Sequence, residues 1–373
     1  MKIIIDARMY GLEHAGIGRY LVNLINQIEK ISKDNELVIL LRKKYFDDLR
    51  FNDKRFKKIL ADYPHYSFLE QIFLPLQLIK LKPDLVHFPH FNVPLFYFGK
   101  YVVTIHDLIK HESRGMGTTT RTPLVYWLKQ IFYLLMVRMA VKRSVMIITP
   151  SKFWQEELVK RYRLPQNKIV VTYEGVDENL LKTNIKPINI LTKYKIKTPF
   201  VVYTGSLYPH KNVERLVMAV KKINQDLKLV IVCARNIFYE RFLEKVKKLK
   251  AEKFVNLVGF VPDEDLADIY RQAEAFVFPS FWEGFGLPGL EAMALGLPVI
   301  SSNSSCLPEI YGEAALYFNP SDVNDMAEKI SMVVHDKARR EALVKNGFEQ
   351  VKKYSWEKMV KETLKIYQET CFR

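Results

Sequence analysis

Three cysteines in 373 residues, Cys233, Cys306 and Cys371, form no C-x-x-C pair and are too scattered for a disulfide framework or a zinc ribbon. A reducing compartment is the expectation. The chain also lacks H-E-x-x-H, any short-period repeat and any low-complexity tract. Its longest aliphatic-aromatic run, "IFYLLMV" at 131 to 137, stops at Arg138 and is much too short to span a bilayer, so the chain is read as not integral to a membrane. "MKIIIDARMY" reads as a strand rather than a charged leader followed by an apolar core, so no signal peptide is expected and the protein is placed in the cytoplasm. Without an RNP, helix-turn-helix or zinc-finger signature, no nucleic-acid partner is expected.

What is present is an ordinary globular composition, 49% hydrophobic and 26% charged, in a chain long enough for two domains. The charge is uneven. Residues 1 to 200 carry 33 Lys/Arg against 18 Asp/Glu, whereas 201 to 373 carry 24 against 23. An excess confined to the first half suits an anionic partner, by charge alone either nucleic acid or an acidic membrane surface, or a solvated basic face that aids solubility. Two segments concentrate it, 42–58 and 126–143. The second sets Lys129, Arg138, Lys142 and Arg143 among aromatic and aliphatic residues, a pattern that fits a peripheral membrane helix or a core helix equally.

Short apolar runs alternate with helical patterns along the whole chain. "KIIIDA", "ELVILL", "DLVHF", "YVVTI", "SVMIITP" and "KIVVTY" lie in the first half; "FVVYTGS", "LKLVIVC", "FVNLVGF", "AEAFVFPS" and "LPVISS" lie in the second. Continuous apolar strands separated by helices predict parallel sheets covered on both faces, hence an α/β chain of two doubly wound domains. We expect an N-terminal domain over 1–187, a linker over 188–199 and a C-terminal domain over 200–354. A last helix over 355–373 opens after the N-cap Ser355 with a stripe of Trp356, Met359, Val360, Leu364 and Tyr367, and is expected to pack back on the N-terminal domain. Ligands of such sheets sit beyond the carboxyl ends of strands, so chemistry is sought just after each strand and in the cleft between the domains.

The densest such place is "FPSFWEGFGLPGLEAMALGLPVIS", 278 to 301. A strand runs into Gly284, Gly286 and Gly289, then into a helix with Pro288 in its first turn and Gly296 at its end. Bare backbone at a helix start makes an anion pocket. Carboxylates cannot hold a phosphate, so Glu283 and Glu291 are expected to take hydroxyl groups on either side of one. Diol, anion, diol is the outline of a sugar nucleotide. Taken alone, Glu291 reads first as a first-turn acid that complements the helix dipole; Glu283 and the glycines beside it turn the reading to the site. In "YTGSLYPHKN" Lys211 follows another strand, where an ammonium can neutralise a diphosphate leaving group or merely be a surface lysine. "MYGLEHAGIGRY" leads a strand through Gly16 and Gly18 into a helix, a weak phosphate-loop signal or a plain tight turn.

"EGFGLPGLEAMALGLPVI" resembles the E-x7-E signature of the retaining glycosyltransferases of family 4. "HKNVERLVMAV", "VGFVPDEDLADIYRQAEAFVFPS" and "PEIYGEAALYFNP" extend the likeness over most of 200 to 320. "AGIGRYLVNLI", "LKPDLVHFPHFNVPL", "VVTIHDL", "ITPSKFWQEEL" and "GVD" resemble the mannosyltransferase-like branch, so the likeness covers effectively the whole chain. The resemblance implies the GT-B fold, two facing Rossmann-like domains, and transfer of a hexose from a nucleoside-diphosphate sugar, GDP-mannose first, to a saccharide acceptor, possible lipid linkage included. It implies no required cofactor and no metal.

Residue by residue, it implies that Glu283 contacts the transferred sugar, that Glu291 binds the ribose diol, and that amides at Phe285, Gly286 and Leu287 hold sugar or diphosphate. Lys211 would meet the diphosphate. Ser206 stands where the family often has an Arg, so His210 or another basic group would replace that clamp. The loop of Gly16, with Arg19 nearby, would approach diphosphate or acceptor. His106 would lie beside the donor hexose, for binding and electrostatics rather than as a general base, with Asp107 orienting it; the leaving phosphate takes the acceptor proton in this family.

A metal reading of His87, His90, His106, His111 and Asp107 is set aside, because Pro89 interrupts the first pair and histidines at strand ends are commonly ordinary hydrogen-bonding residues. Asp263, Glu264 and Asp265 mimic a D-x-D motif but follow Pro262 and open a helix, which N-capping explains. Other readings stay open: a sugar-nucleotide epimerase or phosphorylase on the same fold, or a basic binding module with a vestigial pocket.

Overall fold

Strands that are apolar throughout need cover on both faces, and the chain meets that need twice. A computed structural model describes residues 1–112, 122–176, 190–223, 226–233 and 237–372. In its first part β1 (Lys2–Asp6), β2 (Glu36–Leu41), β3 (Phe56–Leu60), β4 (Leu85–Phe88), β5 (Tyr101–Thr104), β6 (Met146–Thr149) and β7 (Ile169–Val171) form a seven-stranded sheet in the order β3-β2-β1-β4-β5-β6-β7. Every pairing in it is parallel. Ile3, Ile4 and Ile5 are wholly buried, as continuous apolar strands require.

The second sheet has β8 (Phe200–Thr204), β9 (Lys228–Val232), β10 (Val255–Gly259), β11 (Ala275–Phe278), β12 (Val299–Ser302) and β13 (Ala315–Phe318) in the parallel order β10-β9-β8-β11-β12-β13. In both sheets the order reverses beside the first strand, which gives each its switch point: β1 beside β4, and β8 beside β11.

Around the first sheet lie α1 (Ala15–Ile31), α2 (Phe68–Leu81), α3 (Pro123–Arg143) and α4 (Lys152–Tyr162). The β1-to-β2 step crosses the sheet one way, and the β3-to-β4 and β5-to-β6 steps cross it the other way. Right-handed crossovers therefore put α1 on one face and α2 and α3 on the opposite one. Around the second sheet lie α5 (Val213–Ile223), α6 (Ile237–Lys248), α7 (Asp263–Gln272), α8 (Leu287–Ala294), α9 (Val323–His335) and α10 (Lys337–Val351). The last helix, α11 (Trp356–Cys371), starts on Ser355, whose hydroxyl accepts from Lys358 N at 3.4 Å. It packs on α1, β4 and β6, burying Trp356, Met359, Val360 and Tyr367 as its stripe predicts. Tyr367 Oη lies 2.5 Å from His87 Nδ1, and His87 Nε2 lies 2.8 Å from Thr104 Oγ1, so His87 is a core histidine.

The described residues fall into two compact units. One holds Met1–His111, 122–174 and 355–372; the other holds Glu112, 175–176, 190–223, 226–233 and 237–354. This division comes earlier than the expected boundary at 187, and the described part of the expected linker, 190–199, belongs to the second unit. Ile190 and Ile196 are buried there, Lys193 Nζ and Tyr194 Oη meet Asp265 Oδ2 at 2.5 and 2.8 Å, and Asn256 Nδ2 donates to the Tyr194 and Lys195 carbonyls. Asp265 is thus paired across to 193–194; it is not the N-cap of α7, which is Pro262. By length and composition α3 is long and apolar enough to cross a membrane, with a mean hydropathy of 1.4 over its most apolar window, a property hidden from a search for uninterrupted apolar runs.

Candidate active site

In the second unit the site grows from the ends of β8 and β11, adjacent strands at the switch point. After β8 the chain makes a turn at Pro209–Lys211 and closes it with Asn212 in the left-handed region, φ 57°. Asn212 is buried, and its Nδ2 donates to the carbonyls of Pro279 and Pro320 at 3.0 and 2.8 Å. Phe281 N donates to the His210 carbonyl at 2.8 Å. These bonds stitch the β8 loop to the β11 loop and bring Lys211 against Glu283. Lys211 Nζ is 2.7 Å from both carboxylate oxygens, with the two side chains 16% and 8% exposed. Two expected site residues are thereby one ion pair. An ammonium has three N–H groups, so this pair leaves one to meet a ligand oxygen.

The backbone around Glu283 is held equally tightly. Its amide donates to Ser305 Oγ at 3.3 Å, and its carbonyl accepts from Ser305 Oγ and Cys306 Sγ. Burial first, and the Glu283 charge after it, push the Cys306 thiol well up, so this cysteine is an inert donor. Gly286 adopts φ 101° as the residue before α8, and an added Cβ would stand 2.6 Å from Tyr311 Oη and 2.8 Å from Leu307 Cδ2. Tyr311 Oη donates to the Gly286 carbonyl at 2.6 Å. Gly289 is needed for the same contact, and its amide is spent on the Gly286 carbonyl at 3.2 Å, so it does not join an anion pocket as the sequence suggested. Phe285 and Leu287 are buried on either side of Gly286. Glu291 is 5% exposed and lies beyond the first turn of α8, which holds no acid. A dipole role fades past that turn, so the alternative reading of Glu291 loses its basis.

Ser206 keeps its carbonyl on Tyr203 Oη at 2.7 Å. The suggested substitute for the missing Arg fails as a cation. Burial, and then the neighbouring Lys211 ammonium, push His210 down to about 3, and Tyr208 stacks on its ring at 5.9 Å, so it is neutral at neutral pH. Besides Lys211, the nearby cation is Arg215 in the first turn of α5, whose Nη1 donates to Asn212 Oδ1 at 3.1 Å.

In the first unit His106 follows β5. Its Nε2 lies 3.0 Å from the Pro89 carbonyl and its Nδ1 lies 3.3 Å from Glu174 Oε1, with the Tyr20 ring edge-on at 4.8 Å. Both ring nitrogens are occupied by oxygen atoms, an arrangement for a held ring rather than a free base. The orienting acid is Glu174, 5% exposed, and not Asp107, whose Oδ1 instead accepts from Ile109 N at 2.9 Å and caps the turn Ile109–Glu112. Gly16 sits exposed in the first turn of α1, where an added Cβ would meet nothing; Gly18 is the sterically required glycine, since a Cβ there would strike the Gly11 carbonyl. Arg19 is half-buried one residue further on.

A buried network that sequence reasoning missed lies at the switch point of this sheet. Arg8 pairs with Asp6 through Nε and Nη2, each at 2.7 Å, and with Glu70 Oε1 through Nη2 at 2.7 Å. Glu70 also accepts from Asn92 Nδ2 at 2.6 Å and from Tyr66 N at 2.7 Å. Burial pushes the Asp6 carboxyl up, but the Arg8 guanidinium outweighs it and the net shift is down. A small cavity opens against Arg8, His65, His90 and Asn92. Among the described residues no group of three His, Cys, Asp or Glu side chains is arranged to hold a metal; His111 stands between the hydroxyls of Tyr162 and Tyr133, each at 2.8 Å.

Two parallel sheets with these switch points define the GT-B fold of glycosyltransferases. Sucrose-phosphate synthase from Thermosynechococcus elongatus superimposes with a TM-score of 0.78 at 21% identity, over 99% of this chain and 98% of that one. The HepE protein of Anabaena, solved in complex with UDP-glucose, superimposes with a TM-score of 0.72 at 15% identity, over 98% and 99%. At the sequence level the family model for glycosyltransferase family 4 matches 14–180 and that for glycosyl transferases group 1 matches 189–350, and the chain belongs to glycosyltransferase family 4. Among curated relatives, the O-antigen chain mannosyltransferase B of Escherichia coli is 27% identical over 98% of this chain and 99% of its own length.

Proposed function

We propose that this glycosyltransferase is a retaining, metal-independent mannosyltransferase. It takes mannose from a nucleoside-diphosphate sugar, GDP-mannose first, and adds it to a lipid-linked saccharide in surface polysaccharide synthesis, at the cytoplasmic face of a membrane. The observation that carries the reading is the Lys211–Glu283 pair at 2.7 Å beside the helix that holds the buried Glu291. It supplies a charge for the diphosphate and carboxylates for sugar and ribose hydroxyls. The mannosyl specificity rests on the relative that shares nearly its whole length with this chain.

In this reading Lys211 gives its remaining N–H to a phosphate oxygen as the glycosyl–phosphate bond breaks, and the amides at the start of α8 share the developing charge. Glu283 accepts from a sugar hydroxyl while its other contacts keep it fixed. His106 is a held electrostatic group, and the departing phosphate takes the acceptor proton. A melting-temperature panel of nucleoside diphosphates and their sugars tests the donor, since a ligand that prefers the native state raises the transition. GDP and GDP-mannose should give the largest rise. Transfer of radiolabelled mannose to a saccharide acceptor, unaffected by EDTA and giving an α-linked product, tests the rest; release of an epimerised donor without acceptor would replace transfer by isomerisation.

A further inference from the structure

One face of the N-terminal sheet carries an apolar surface that nothing in the described chain covers. Of the 22 exposed large apolar side chains among the described residues, fifteen lie on three segments: six on α2, seven on α3, and Phe96 and Phe98 in the loop after β4. The segments are joined. Leu95 N donates to Gln71 Oε1 of α2 at 2.8 Å, Arg143 Nη1 of α3 donates to the Leu95 carbonyl at 2.7 Å, and the Phe91 ring meets Tyr133 of α3 edge-on at 5.0 Å. Soluble chains scatter exposed apolar groups singly, so this concentration marks an interaction surface.

Both helices are properly seated. Leu74 and Leu78 of α2, and Tyr133, Met136, Val137 and Ala140 of α3, are buried on their inner stripes. The exposed apolar residues thus form a second, outward face, and α3 lies along the unit rather than leaving it. The only acid within 68–82, 91–100 and 122–143 is Glu70, which is buried on Arg8. The exposed cations there are Lys80, Lys82, Lys100, Lys129, Arg138 and Lys142. By contrast the basic segment 42–58 has Arg42, Lys44, Arg55 and Lys57 in ion pairs with Asp62, Glu13, Asp53 and Glu36, and contributes no exposed large apolar side chain.

We propose that the α2–α3 face, with Phe96 and Phe98, docks the enzyme on an anionic lipid bilayer, with 42–58 outside the contact. Aliphatic and aromatic side chains enter the interface, and a set of cations without an exposed acid among them meets the lipid phosphates. A protein partner would more often ask for charges of both signs. The proposal deepens the lipid-linked acceptor reading and rests on it for its purpose.

The test is co-sedimentation of the full chain with vesicles of phosphatidylcholine and phosphatidylglycerol, against phosphatidylcholine alone. Wild type should bind the anionic vesicles preferentially, with a blue shift of emission from Trp127, which is 53% exposed, whereas Trp154 and Trp356 are buried. Leu128→Ser with Ile131→Ser should lower partitioning about tenfold, and Lys129→Glu with Arg138→Glu at least about tenfold. Both double variants should keep the melting temperature and transfer to a soluble acceptor. Equal binding by wild type and both variants would overturn the proposal. So would a failure to bind vesicles, together with a wild-type dimer that Leu128→Ser with Ile131→Ser dissolves, since the face would then belong to a second copy. Normal vesicle binding without transfer would sustain the docking and sink the transferase specificity instead.

Discussion

Lys211 and Glu283 neutralise one another, the ammonium lying 2.7 Å from each carboxylate oxygen, in a loop pair that Asn212 and the His210 carbonyl lock together. The consequence is that neither residue can be assigned a solitary role. Lys211→Met leaves a nearly buried carboxylate without its cation, and Glu283→Gln leaves the converse. Each should lower transfer by about 10²–10³. In a double-mutant cycle the combined variant should lose much less than the product of the single losses, because one pair is being removed twice. Multiplicative losses in kcat/KM would show that the two act separately.

A second pair deserves the same test in the other unit. His106 Nδ1 faces Glu174 at 3.3 Å, so Glu174 acts by positioning the ring. Glu174→Ala should reduce kcat about tenfold or more, comparable to losing an outer hydrogen-bond partner, and Glu174→Gln, which retains an acceptor oxygen, should recover most of it. Adding Glu174→Ala to His106→Ala should cost nothing further. An undiminished second loss would give Glu174 a role of its own.

Much of this was legible in the sequence, and the misses have physical causes. Eleven strands show as apolar runs because buried parallel strands are apolar on both faces. The two that do not, β3 with Lys57 and Lys58 and β13 with the half-buried pattern of "ALYF", are edge strands whose outer side meets polar surroundings, although the other two edges, β7 and β10, keep apolar runs while half-buried. Lys211 and Glu283 are each visible beside a strand end, but nothing in a linear spacing of 72 residues announces their pairing. Asn212, Glu174 and Glu70 escaped because a buried polar residue looks in sequence like any exposed one; its partners are distant in the chain. His210 was misjudged as a cation because burial, not residue type, decides its charge. Asp107 was preferred over Glu174 because it adjoins His106, whereas the chain leaving β7, two places along the sheet from β5, brings Glu174 to the ring.

Acid should destabilise the protein earlier than carboxylate titration alone would. His87 is held down to about 3, by burial first and by His106 after it, and His210 is held down to about 3 by burial and Lys211. Here the folded state is the weaker base. Above an unfolded value near 6.5 neither state binds the proton, so nothing is lost. As pH falls below about 6.5 the unfolded chain gains protons that the folded one refuses, and stability drops by up to about 1.4 kcal/mol per pH unit for each such histidine until about pH 3. Melting curves between pH 7 and pH 4 should show a falling transition, with a shallower fall for His87→Gln. A transition flat down to pH 5 would mean that these rings are protonated in the native state.

The Asp6–Arg8–Glu70–Asn92 network gives the sharpest stability prediction, since Arg8 and Glu70 are 1% and 0% exposed in their side chains. Glu70 is the acceptor for three groups at once: the guanidinium, the Asn92 amide and the Tyr66 backbone N–H. Glu70→Ala therefore strands the buried Asn92 amide, the part-buried Tyr66 N–H and half the compensation of a buried cation, a change that costs about 3–5 kcal/mol where it has been measured for other buried pairs. Glu70→Gln keeps the shape and an acceptor oxygen, losing only the charge, and should cost less. The pair also fixes the start of α2, so the damage should reach its exposed face. Chemical denaturation of the two variants would give the stability change, and vesicle co-sedimentation the effect on the face. If Glu70→Ala unfolds at the same denaturant concentration as wild type, the network is not holding the ends of β1 and β4 together, and the small cavity beside Arg8 would have to be filled and satisfied by water instead.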